Sequence, residues 1–91
     1  MSHSIKPLQA QVFSLYRSIL RAAKTMPTKN RELDVAKQAR AEFEKEKNVV
    51  EQDEIEFLIR VGRGHEDTIL TQAKHLTELL EQGLLREYDY K

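Results

Sequence analysis

From Leu8 to Met26 the apolar residues recur at three- and four-residue steps. Leu8, Val12, Leu15, Ile19, Ala22 and Met26 form one ridge, and Phe13, Tyr16, Leu20 and Ala23 form a second beside it. At about 100° per residue the two ridges share one side of a helix and cover roughly half its circumference. No stretch alternates with period two over a useful length, so the pattern speaks against strands and predicts an all-α fold. With 91 residues the chain is expected to form a single domain, spanning 1–91, that buries comparatively little of its surface.

Punctuation divides that domain into three predicted helices. The first covers about 7–25: Pro7 suits a first-turn position, and Pro27 cannot continue a helix. The second covers about 29–47, with Thr28 or Asn30 as N-cap and Asn48 as C-terminal cap. The third covers about 51–81 and stops at Gly83, with Gly62 and Gly64 as places where it can bend. The tail "LLREYDYK" is expected to fray.

The predicted faces do not match as a closed three-helix antiparallel bundle. The second helix offers a narrow stripe of Leu33, Ala36 and Phe43, and Arg40 and Lys47 fall within it. The third offers Ile55, Leu58, Ile59, Ile69, Leu70, Ala73, Leu76 and Leu80, interrupted midway by Gly62 and Glu66. A wide face, a thin face and a gapped face fit a bundle with an apolar cleft between the helices, rimmed by Arg and Lys. They also fit a closed core over which Arg40 and Lys47 lay their aliphatic stems. On pattern alone the second reading is preferred.

Charge is sorted along the chain. Fifteen basic and fifteen acidic residues cancel, yet no acid precedes Glu32, while Lys6, Arg17, Arg21, Lys24, Lys29 and Arg31 all do. An amphipathic, acid-free, Arg-containing opening has the composition of a mitochondrial import signal. A helix that faces an acidic partner has the same composition, and both readings stand; no separate cleavable presequence is expected. Cysteine is absent, which excludes disulfides, thiolate metal sites and cysteine nucleophiles. No apolar run approaches the roughly 18 residues of a membrane span, and no secretory apolar region is present.

Catalysis is not expected. His3, His65 and His75 have no metal-ligand spacing, and the pairing of His75 with Glu78 at i,i+3 is ordinary surface chemistry. There is no nucleophile elbow and no phosphate loop. The carboxylates of "EFEKEKNVVEQDEIEF" alternate with lysines at helix-pairing distances and read as a solvated face. Nucleic acid is not an expected partner, because the remainder of the chain is acidic and no reader motif is present.

"QVFSLYRSILRAAK" resembles the signature of the LYR-motif (complex 1 LYR) family, small three-helix mitochondrial adaptors. The triplet is Leu15, Tyr16 and Arg17; Arg21 follows at i+4, and Phe43 sits one helix later in "ARAEFEKEKN". Triplet, second arginine, downstream "RAEF" and total length together make the match specific over roughly 8–70. The opening "LQAQVFSLYR" and the later "IEFLIRVGRG" look most like the branch that assists succinate dehydrogenase assembly. Two features depart from that branch: a slightly short stretch between Phe43 and Ile55, and "RGHEDTIL" where a strongly basic run is expected. The "FEKEKNV" segment also resembles the desulfurase-binding and complex-I-associated members.

The resemblance implies an acylated mitochondrial acyl carrier protein as partner, in the matrix, with its acyl-phosphopantetheine lying between the helices. No cofactor of the chain's own is implied. On this reading Val12, Leu15, Ile19, Phe43, Ile59 and Gly62 line the acyl cleft. Tyr16, Arg17, Arg21, Arg40, Phe43, Lys47, Arg60 and Arg63 meet the carrier or an iron–sulfur client, and Arg40 and Lys47 become the rim of the cleft. Phe57 and Val61 fit either a client surface or an ordinary tertiary contact. A helical homo-oligomerisation module, using the apolar surplus as a dimer face, is the competing class.

Overall fold

The computed structural model describes residues 7–84, with side chains from Ala10 onward. His3, Lys6, the Leu8 side chain and the tail from residue 85 lie outside the described residues. Three helices follow one another, α1 (Pro7–Ala23), α2 (Lys29–Glu46) and α3 (Gln52–Glu81).

Their ends follow from local chemistry. α1 closes two residues before the expected end, because Lys24, Thr25 and Met26 donate their amides to the carbonyls of Arg21, Ala22 and Ala23 at 3.0–3.1 Å. Those three-residue steps tighten the last turn ahead of Pro27. Thr28 is the N-cap of α2, with extended backbone and an Oγ1 that accepts from the Arg31 amide at 3.4 Å. At the other end Lys47, not Asn48, is the C-cap, and among the described residues only Gly83 has a positive φ. Glu51, the N-cap of α3, makes no side-chain cap bond, but Asp53 and Glu54 lie in the first turn, where carboxylates interact favourably with the helix dipole. It ends in a Schellman motif: Leu84 donates to the Leu79 carbonyl at 2.9 Å and Gly83 to that of Leu80 at 3.1 Å, with Gly83 at φ 73°.

α1 is the central element. Its backbone packs closely against both other helices, whereas α2 and α3 have no Cα pair within 8 Å of each other. The buried apolar residues are Leu15, Ala22, Ala23 and Met26 in and just after α1, Ala36 in α2, and Ile55, Ile59 and Ala73 in α3. Half of them are alanine, and no large side chain is fully enclosed. The radius of gyration, 15.8 Å, exceeds the value of about 12 Å for a compact domain of this length. That excess reflects an elongated outline of 57 × 21 × 18 Å with the 30-residue α3, while the separation of α2 from α3 leaves the bundle open on that side.

Gly62 does not interrupt the stripe of α3 as the sequence pattern suggests. It is buried, and the side chain of Leu15 from α1 occupies the place its Cβ would take. Gly64 faces open space, with nothing within 4 Å of the place a Cβ would take. The helix runs unbroken through both.

Candidate functional site: a cleft between α2 and α3

The gap between α2 and α3 is a cavity of ≈ 730 Å³, within the range of about 300–1,000 Å³ usual for ligand sites. α1 forms its floor through Val12, Phe13, Leu15, Tyr16 and Ile19. From α3 come Ile55, Leu58, Ile59, Val61, Gly62 and Ile69, and from α2 Val35, Ala39 and Phe43. Phe43 is the centre of an aromatic cluster. It stacks on Tyr16 with ring centroids 4.5 Å apart and an interplanar angle of 26°, and meets Phe13 at 5.5 Å and 51°. These contacts tie α2 to α1 at the cavity wall, in the offset and tilted geometries that the ring quadrupole favours.

One lip of the cleft is polar. Gln38, Glu42 and Glu46 of α2, with its C-cap Lys47, face His65, Thr68 and Gln72 of α3 around the same space. Burial raises the Glu46 carboxyl above its ordinary value, and the charge of Glu42 one turn earlier and a hydrogen bond shared with it raise it further. Lys45 and His65 oppose that shift. A hydrogen bond between two carboxyls requires one of them to hold its proton, so burial and pairing act in the same direction. Lys47 pairs with Glu44 at 2.9 Å and Lys45 with Glu42 at 3.6 Å.

Of the residues expected at the cleft, Val12, Leu15, Ile19, Phe43, Ile59 and Gly62 line it together, joined by Tyr16 and Lys47. Arg17, Arg21, Arg40, Arg60 and Arg63 do not: all five are exposed and stand outside the wall. The cleft is therefore not rimmed by arginine, and Arg40 is corrected from the inward stripe to the outer surface. The cause is the rotation of α2. Leu33 is 51 % exposed, while Val35, Ala36, Ala39, Phe43 and Glu46 turn inward. That face is rotated by roughly 70° from the stripe of Leu33, Ala36, Arg40 and Phe43. Small Ala36 allows close approach to α1, and the stacking of Phe43 on Tyr16 fixes the angle.

Arg21 donates to Ser18 Oγ at 3.3 Å. Arg17 and Arg21 lie on the back of α1, more than a quarter turn from Leu15 and Ile19 in the floor. The basic ridge thus faces away from Leu15 and Ile19 but borders Phe13, the wall residue one turn before Arg17. Phe57 and Val61 are 54 % and 37 % exposed, and Val61 also reaches the cavity. Sequence reasoning missed Glu42, Glu46 and His65. Their signal was present in the four-residue spacing of the two glutamates, but alternation with lysine disguised it as a solvated face.

Among the described residues no helix is long and apolar enough to cross a membrane, and no group of three or more His, Cys, Asp or Glu is arranged to hold a metal ion. The profile of the family described as Complex 1 protein (LYR family) matches residues 10–68, about two thirds of the chain. The match takes in α1, α2 and the first half of α3, the parts that enclose nearly all of the cavity. No curated protein matches the chain.

Proposed function

The chain belongs to the Complex 1 protein (LYR) family, and on that premise we propose that it is a non-enzymatic mitochondrial adaptor for acylated acyl carrier protein. Family membership supports a small LYR-motif protein of the kind that binds acyl carrier protein and serves respiratory-complex assembly; such proteins are typically mitochondrial. The finer reading is a matrix protein that takes the carrier's phosphopantetheine-linked acyl chain between its helices. It then assists maturation of an iron–sulfur complex, succinate dehydrogenase first among the candidates.

The observation that carries this reading is the cavity itself, ≈ 730 Å³ with an apolar floor, in a bundle whose second and third helices do not meet. A chain this short with so thin a core gains from a ligand that supplies apolar volume. Each buried methylene contributes about 0.8 kcal/mol, so ten contribute roughly 8 kcal/mol before ordering costs. That compares with a total stability of about 5–15 kcal/mol for a typical domain. The exposed cations of α1, Arg17 and Arg21, and Lys24 just after it, suit an acidic carrier surface and give an association that weakens with salt.

Thermal melts with carrier bearing a long acyl chain should exceed those with unacylated carrier, since a ligand that binds only the folded state must stabilise it. Equal melting temperatures, with both complexes formed, would refute the acyl-filled core. Intact-mass analysis of the native protein separates the competing class: a clean homodimer without carrier identifies an oligomerisation module. A pulldown from mitochondria, read for succinate dehydrogenase, complex I and cysteine desulfurase subunits, decides among clients. Replacing Lys6, Arg17 and Arg21 with glutamate should abolish matrix import, and undiminished import would refute the targeting role of the N-terminal segment.

A further inference from the structure

We propose that Gly62 and Leu15 together gauge the length of the acyl chain the cleft accepts, with the missing side chain at position 62 holding Leu15 out of the cavity. The inference rests on the acyl-binding reading above and adds a specificity determinant to it.

Leu15 and Gly62 are both buried and both line the cavity. A Cβ at position 62 would overlap the Leu15 Cδ2 methyl and come within 3.2 Å of Cγ. The added Cβ would stand on α3, so Leu15 has to yield away from that helix. Leu15 itself lines the cavity, so that open volume can receive its displaced methyls, and bulk at position 62 moves them toward the floor. The displaced atom is the far end of a flexible side chain, and the helix pair need not separate to admit it. Chain length is the property sensitive to this change. A short acyl chain leaves the floor unfilled and is indifferent to a methyl there, whereas a chain that fills the cavity loses contacts or must end earlier. Each methylene excluded costs on the order of fourfold in affinity.

Gly64 supplies the comparison. Two positions along the same helix, it has nothing within 4 Å of the place a Cβ would take. Gly64→Ala makes the same chemical change on the same helix without touching the floor.

The test measures affinity of the full chain for carrier protein that is unacylated or bears octanoyl, dodecanoyl or hexadecanoyl. Wild type should bind more tightly as the chain lengthens. Gly62→Ala should match it for the unacylated and octanoyl carriers and fall at least fourfold on the longest chain that wild type prefers. Leu15→Val, which shortens the side chain without introducing bulk, should shift the preference toward the longer chain and restore it in the double variant. Gly64→Ala should keep the wild-type profile. A uniform loss at every length in Gly62→Ala, or a profile unmoved in both Gly62→Ala and Leu15→Val, would overturn the gauge while leaving acyl binding intact. A wild type indifferent to the chain overturns the acyl reading itself, and the gauge with it.

Discussion

Tyr16 of α1 lies against Phe43 of α2 with ring centroids 4.5 Å apart and planes inclined by 26°. The pair joins the LYR triplet to the phenylalanine one helix later, and both rings line the same cavity. Since the α2 backbone packs against α1 and has no Cα within 8 Å of α3, this stack and the neighbouring contact with Phe13 set how α2 is turned. An aromatic pair of this geometry contributes about 0.5–1.5 kcal/mol beyond its area. A double-mutant cycle with Tyr16→Leu and Phe43→Leu should return a coupling of that size in chemical denaturation. Strict additivity would show that the two rings are neighbours without a specific interaction.

Arg40→Glu should leave the fold intact, because Arg40 is exposed and outside the cavity wall. Carrier affinity should fall by roughly fivefold, about 1 kcal/mol, the scale of a solvent-exposed ion pair. Raising the salt should reduce the difference between variant and wild type. Binding isotherms at two ionic strengths, with circular dichroism alongside, check this. An unchanged affinity at low salt would remove Arg40 from the carrier surface.

Stability should decline as pH rises through the titration of Glu46. Its carboxyl is raised in the folded protein by burial and by Glu42, so the folded state holds a proton that the unfolded chain releases. Such a group favours folding at low pH, and the advantage disappears as pH rises through the folded value. An apolar chain in the cleft deepens the desolvation, so acyl binding should be accompanied by proton uptake. Glu46→Gln should flatten the pH dependence of the melting temperature above the ordinary carboxylate range. A profile identical to wild type would place the titration elsewhere.

Thr28→Ala should cost about 0.5–1 kcal/mol, the value of an N-cap whose hydroxyl accepts a long hydrogen bond. The loss should appear in thermal denaturation, and Thr28→Ser should recover most of it. No change in melting temperature would mean that the turn after Pro27 holds α2 without the cap.

Much of the fold was legible in the residues themselves because helix ends are local events. Thr28 and Gly83 act on backbone groups within one turn, so α2 begins and α3 ends beside those residues. Asn48 failed as a cap for a related reason: asparagine permits the left-handed conformation without requiring it, and Lys47 closes α2 in right-handed geometry. The apolar floor on α1 was equally legible. Val12, Leu15 and Ile19 belong to a face so wide that any packing buries them or brings them to a cavity.

Sequence alone could not orient the thin face of α2. Leu33, Ala36 and Phe43 define a stripe by hydrophobicity, but a helix with few apolar residues turns to suit its neighbour's shape. Ala36 against α1 and Phe43 on Tyr16 set that angle, which exposes Arg40 and Leu33 and brings Glu42 and Glu46 to the cleft. Tertiary structure also decided the meaning of Gly62, a gap in the pattern of its own helix and a receptacle for Leu15 from another. The difference is physical. Caps and periodicity are written within a few consecutive residues, whereas the rotation of a weakly amphipathic helix and the close approach at a glycine depend on side chains distant in sequence.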